Sequence, residues 1–349
     1  MRDRRLQCLL GVSIAVAVLA ATETARSQPT SFPTQLNAYI TKYVQLTPAE
    51  RSKLTSGAPV VKLMASDPTR EVAVFGAVWI KGSPREYVKL VKDIEQFERG
   101  GSFLTTKRIS DPPVASDFAA LKLDQEDLES LKTCRVGDCE IKLAESALLR
   151  LRKSVDWTKP NAAAAAEALA KQLMLEFVKE YLVAGNEGLA VYRDAERPTF
   201  VATEFKTMIE RMPELGEHLP ELKAYLLGYP KATIPGATSF LYWGEAQFGL
   251  KPTTRINHVV IDDRPGVTAI ASKLLYASHY FWTALDVRVL VEDPARGPGF
   301  WFVNINRSRS DGLSGFVGKM IRGKVQSEAL KGIETALQAT KTRVEQTAR

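Results

Sequence analysis

The chain has 349 residues, 45% of them hydrophobic and 25% charged, with 22 Gly, 18 Pro and three Cys. This is a globular composition that excludes collagen-like, disordered and disulfide-dense classes and leaves room for one large or two medium domains. The formal charge of +7 falls to +5 once the first 27 residues are set aside. Basic residues are interspersed with acidic ones, so the clustered footprint of a nucleic-acid binder is missing.

Residues 1–27 read as a signal peptide: Arg2, Arg4 and Arg5 form a cationic start, Leu9 to Ala21 an apolar stretch, and Ala25-Arg26-Ser27 a small-residue cleavage site. An apolar run of about 13 residues is shorter than the roughly 20 a spanning helix needs, which leaves an uncleaved anchor as the lesser alternative. Cys8 precedes the apolar stretch and is badly placed for lipid attachment. The mature chain is expected to be soluble and either periplasmic or secreted.

Residues 28–69 form a polar lead-in with one or two short helices, one of them opened by Thr47-Pro48-Ala49-Glu50. The run from Glu71 to Ile80 predicts a strand, and Ser83-Pro84 then opens a helix with Tyr87, Leu90, Val91, Ile94 and Phe97 at helical spacing. Phe103 to Ile109 and Asp117 to Leu123 are shorter strand candidates. Cys134 and Cys139 flank a Gly-Asp turn and predict a local disulfide in an oxidising compartment; the alternating Glu140 to Leu143 reads as a strand.

Residues 144–235 are helical in texture, with Ala162 to Leu182 as the longest run and Gly185-Asn186 as its stop. Residues 236–349 hold five strand runs, Thr238 to Leu250, Thr253 to Asp262, Val267 to Ser278, His279 to Glu292 and Phe300 to Arg309, whose short links predict antiparallel neighbours. Leu285, Val287, Val289 and Val291 alternate with Asp286 and Arg288, giving that strand one apolar and one wet face. A helix from Ser314 to Glu345, capped by Asp311 or Ser314, closes the chain. Its stripe of Val317, Met320 and Ile321 is out of line with that of Val325, Ile333, Ala336, Leu337 and Val344, so a bend or restart near Gly323 is expected.

The strand at Glu71 to Ile80 with Ser83-Pro84-Arg85-Glu86 after it, and Gly315-Phe316-Val317-Gly318-Lys319-Met320-Ile321-Arg322-Gly323 leading into the last helix, resemble the helix-grip fold of the START-related superfamily of lipid-transfer, polyketide-cyclase and allergen-type carriers. The resemblance covers residues 70–143 and 236–346, with residues 144–235 as a helical insertion. It implies an α+β fold in which a curved antiparallel sheet wraps a long C-terminal helix and leaves an apolar cavity between them. It carries no diagnostic motif and transfers no functional residue.

The strand half is rich in aromatic residues, and Trp79, Trp243, Tyr276, Trp282 and Trp301 with His258, His279, Arg307 and Arg309 are the candidate ligand-binding set; a closed aromatic core is the competing explanation. Arg307 and Arg309 share one strand face and suit an anionic head group or membrane surface, or else salt bridges to Asp286, Glu292 or Asp311. Asn306-Arg307-Ser308 also fits a glycosylation sequon.

The chain has no Gly-x-Ser-x-Gly elbow, Gly-rich phosphate loop or His-Glu-x-x-His helix, so no catalytic residue, cofactor or metal is assigned. The function expected is an exported carrier of a lipid-like or aromatic small molecule. The alternatives are a cyclase or hydratase using His258 or His279, and an envelope structural or partner-binding protein, with peripheral contact to membrane or envelope.

Overall fold

The computed structural model describes residues 32–247, 251–313 and 315–347. The expected leader and the Ser314 cap lie outside them. The fold is α+β, built on one curved, wholly antiparallel sheet. Its strands are β1 (Val60–Leu63), β2 (Glu71–Ile80), β3 (Phe103–Arg108), β6 (Thr238–Gln247), β7 (Pro252–Arg264), β8 (Val267–Ala277), β9 (Phe281–Glu292) and β10 (Phe300–Ser310), in the order β1-β2-β10-β9-β8-β7-β6-β3. A separate hairpin joins β4 (Val191–Tyr192) to β5 (Thr199–Phe200) within the helical region.

The helices are α1 (Thr34–Tyr39), α2 (Pro48–Thr55), α3 (Pro84–Lys92), α4 (Ile94–Phe97), α5 (Gln125–Thr133), α6 (Glu145–Ser154), α7 (Ala162–Ala184), α8 (Val201–Glu210), α9 (Pro213–His218), α10 (Pro220–Gly228) and α11 (Gly315–Thr347). Their starts follow the capping chemistry. Thr47 and Glu50 close a reciprocal capping box on α2, and the Ser83 hydroxyl accepts the Arg85 amide ahead of Pro84 in α3.

Both faces of the sheet are covered. Val72, Val74, Val78 and Ile80 of β2 meet α3 and α11, whereas Phe75, Ala77 and Trp79 point the other way, toward α1, α2 and α8 to α10. Gly76 sets the seat of α11: a Cβ there would lie 2.6 Å from Ile333 Cγ2, so only glycine lets the helix settle this close.

Several expectations need correction. Asp117 to Leu123 forms no strand: the Asp117 carboxylate accepts from Ser110 N, Ser110 Oγ and Val114 N, and this closes a 3₁₀ turn over Ala115–Phe118. Glu140 to Leu143 also stays out of the sheet. Its Lys142 amide bonds Ser278 O, and the buried Lys142 amine pairs with Asp194 and Asp311, both at 3.1 Å. The two strands expected to meet at Ser278-His279 are separated by a turn in which Tyr280 has φ 62°.

The last helix runs unbroken through Gly323. Ile333, Leu337 and Val344 pack beneath it, while Met320, Ile321 and Val325 are exposed; the side chain of Val317 lies outside those described. The expected disulfide is present between Cys134 and Cys139.

Candidate functional site

The odd-numbered residues of β9 and β10 present an aliphatic surface on the side of the sheet opposite α11. Leu290, Phe300 and Phe302 pack with Leu337, whereas Val287, Val303 and Ile305 pack with α1, α8, α9 and α10. Two short helices cross this surface. Pro213 starts α9 one residue after α8 and its boundary residue Arg211, which folds the chain back over the sheet.

Between α1, α9 and the sheet lies a cavity of about 80 Å³. Leu36, Met212, Leu215 and Leu219 wall it on the helix side, and Val267, Val289, Val291, Val303 and Ile305 on the sheet side.

Gln35, Tyr39, Glu214 and His218 add polar groups to this apolar wall. Three of their atoms, Tyr39 Oη, Glu214 Oε1 and His218 Nε2, are buried without a hydrogen-bond partner among the described residues. Glu214 Oε1 stands 4.0 Å from Arg307 Nη2, and His218 Nε2 stands 3.6 Å from Glu217 Oε1, both beyond hydrogen-bond reach. The Tyr39 and His218 rings meet edge to face at 5.8 Å.

The charges behind the cavity are arranged unevenly. Glu71, fully buried, accepts from Arg307 and, at 2.9 Å, from Arg309 Nη1; Arg309 Nε donates to Glu204 at 2.8 Å. Arg307 Nη2 also reaches Ala65 O at 3.3 Å. Both guanidinium groups are engaged by Glu71 and Glu204, Arg70 Nη1 stands 3.7 Å from Glu204 Oε1, and Glu214 keeps only the long 4.0 Å ion pair with Arg307. Burial pushes its carboxyl pKa up, against the opposing pull of its own backbone amide, Arg307, His218 and Lys223. Arg307 and Arg309 do make salt bridges, but not with Asp286, Glu292 or Asp311.

The other residues singled out from sequence are dispersed. Trp79 and Trp301 contact each other at 5.1 Å beneath Arg296 on the cavity side of the sheet, with Trp301 Nε1 donating to Asp293, but neither lines the cavity. Trp243, Tyr276 and Trp282 belong to a separate cluster under α7, where Trp243 Nε1 donates to Asp117 O.

His258 lies between Tyr181 Oη at 2.9 Å on Nδ1 and Tyr225 Oη at 3.3 Å on Nε2. Burial, helped by the charge of Lys273, lowers its pKa to about 3. His279 Nε2 meets Asp127 Oδ1 at 3.0 Å and its Nδ1 meets Glu140 O at 3.3 Å. Both imidazoles thus spend both nitrogens on protein partners, which leaves neither a free nitrogen for acid–base work on a substrate.

Tyr276 and Asp127 line a second cavity of about 60 Å³, enclosed by α5, α6 and α7 and walled mostly by Leu, Ile and Ala. The even face of the sheet, where the apolar hollow against the last helix was expected, is packed by Val78, Ile80, Leu290, Phe300, Phe302 and Leu337, with a polar strip on the same face. Arg288 Nε pairs with Asp286 at 2.6 Å, and Asn304 and Asn306 donate to Asp286 at 3.0 and 3.2 Å.

Two features had no sequence signal. Glu214 reads as an ordinary first-turn acid of a helix, and only the fold-back of α9 buries it. Lys273 is 1% exposed opposite His258, bonds Asn186 Oδ1, lies 4.1 Å over the Phe205 ring, and is pushed by burial to a pKa of about 7.

No protein-family model and no curated protein matches the chain. Among the described residues no helix is long and apolar enough to cross a membrane, and no cluster of His, Cys, Asp and Glu forms a metal site.

Proposed function

We propose that this chain is an exported binding protein for a small, mainly apolar molecule with one polar end, held between α1, α9 and the odd face of β9 and β10. The observation that carries this reading is an aliphatic cavity whose lining includes the polar residues Gln35, Tyr39, Glu214 and His218. Aliphatic walls supply affinity for the apolar body, and the polar residues of the lining favour one orientation of its head.

A helix-grip scaffold of the START-related kind is part of this proposal. It is supported by the chain order of β2, α3, α4, β3, β6 to β10 and α11, with residues 144–235 as the insertion. The cavity, however, opens on the side of the sheet away from α11. The leader sequence and the Cys134–Cys139 disulfide support an oxidising destination such as the periplasm. The occupied nitrogens of His258 and His279 favour carriage over catalysis.

Organic extraction of the purified protein followed by mass spectrometry tests the reading, with Val303→Phe and Leu215→Phe as cavity-filling controls. A small apolar compound recovered from the wild-type protein and lost from both folded variants supports it. Equal recovery from wild type and variants refutes it.

A further inference from the structure

We propose that the outward face of α11 over residues 320–325 docks on an anionic lipid bilayer. This goes beyond the cavity reading and is independent of it, because α11 lies on the other side of the sheet. Met320, Ile321 and Val325 are exposed at 71%, 44% and 37%, and Lys324 is exposed among them. At about 3.6 residues per turn these four positions share one side of the helix, and Ile333, Leu337 and Val344, which pack toward the sheet, share the opposite side.

The charge pattern identifies the occupant. From Gly312 to Ser327 the chain carries Lys319, Arg322 and Lys324 and no acid, and Glu328 is the first acid after Asp311. Further along α11 the cations have acidic company: Lys341 pairs with Glu345 at 2.7 Å, and Glu334 stands 3.7 Å from Lys53. Lys324 makes no ion pair among the described residues. Arg322 donates to Pro68 O, which ties this part of the helix to the loop ahead of β2 and keeps its apolar side outward. Among the described residues α11 joins the apolar clusters only from Ala329 onward, so Met320, Ile321 and Val325 do not hold it to the sheet. Apolar side chains set among cations suit the boundary of an anionic bilayer, where the former enter the acyl edge and the ammonium stays with the phosphates. An acidic protein would leave the apolar trio without reward, and a neutral apolar partner would leave the acid-free run without one.

The test is co-sedimentation of the full mature protein with phosphatidylcholine vesicles made with and without phosphatidylglycerol, at low and high salt. The expected result is binding to the anionic vesicles alone, weakened by salt. Lys324→Gln should weaken it about fivefold, the scale of one cation near a charged surface, and Met320→Ser with Ile321→Ser at least about tenfold. Lys179→Gln, an equal charge change on the exposed side of α7, should leave it unchanged. Circular dichroism reports that each variant is folded.

No binding to anionic vesicles, or equal binding to both kinds, overturns the proposal. Binding that survives Met320→Ser with Ile321→Ser overturns it as well, and so does equal weakening by Lys324→Gln and Lys179→Gln. A dimer in sedimentation velocity that the Met320 and Ile321 substitutions dissociate, with no vesicle binding, gives this face to a second copy of the chain and overturns the bilayer assignment. The cavity reading stands or falls by the extraction experiment alone.

Discussion

Glu214 Oε1 faces Arg307 Nη2 across 4.0 Å, close enough to feel the guanidinium and too far to bond it. The gap persists because Arg307 is already bonded to Glu71 and to the carbonyl of Ala65. Glu214 is therefore an acid that the protein buries at a cost. Glu214→Gln is expected to raise the stability of the unliganded protein by about 1 kcal/mol at neutral pH.

Because the folded pKa of Glu214 is raised, its contribution is fully present below the ordinary carboxylate pKa and is lost as pH rises through the folded value. The advantage of the variant should accordingly grow between acidic and neutral pH in urea titrations. A variant less stable than wild type throughout that range contradicts a net cost of burying the Glu214 carboxylate.

His258 gives an acid dependence of the opposite slope. Its folded pKa of about 3 lies below the ordinary 6.5, so between these values the unfolded chain binds a proton that the folded one refuses. Stability is expected to fall with decreasing pH across this window, with a limiting slope from this residue of about 1.4 kcal/mol per pH unit. His258→Gln should remove one proton from the slope measured by denaturant titration between pH 6 and 4. An unchanged slope rejects the burial of a neutral imidazole between Tyr181 and Tyr225.

Lys273 is the corresponding base. Burial lowers its pKa from 10.5 to about 7, and its one hydrogen-bonding partner among the described residues is Asn186. The unfolded chain holds the proton over that interval and the folded chain releases it, so wild-type stability should rise from neutral toward alkaline pH. Lys273→Met is expected to be more stable than wild type at pH 6, with the difference narrowing as pH approaches 10. A pH-independent difference contradicts the assignment.

The disulfide closes a loop of sequence separation 5. On the chain-entropy relation a loop this short contributes about 2 kcal/mol, and reduction, or Cys134→Ser with Cys139→Ser, should lower the unfolding free energy by that amount. Chemical denaturation with and without reductant measures it. No loss on reduction shows that the turn around Gly137 holds its shape without the bond.

The strand order and the alternation within β9 were legible because they depend on period-two patterning and short turns. Leu285, Val287, Val289 and Val291 lie on the apolar side, as the alternation predicts. That alternation also conflicts with a greasy hollow facing the last helix, since Asp286 and Arg288 occupy that face of β9.

The site was illegible for a different reason. Tyr39, Glu214 and His218 come from two short helices whose facing ends, Tyr39 and Pro213, are 174 residues apart in sequence, and nothing local records that α9 doubles back to bury its first-turn acid. The aromatic residues drew attention by their number, yet Trp243, Tyr276 and Trp282 serve a core under α7.

Methyl-resolved NMR of Ile/Leu/Val-labelled protein, titrated with octylamine, tests most directly which hollow of this molecule takes a ligand. The account predicts shifts at Leu36, Leu215, Leu219, Val289, Val303 and Ile305, with Val78, Ile80, Leu290 and Leu337 unmoved. Shifts confined to Val78, Ile80, Leu290 and Leu337 would place the ligand against α11 and contradict it.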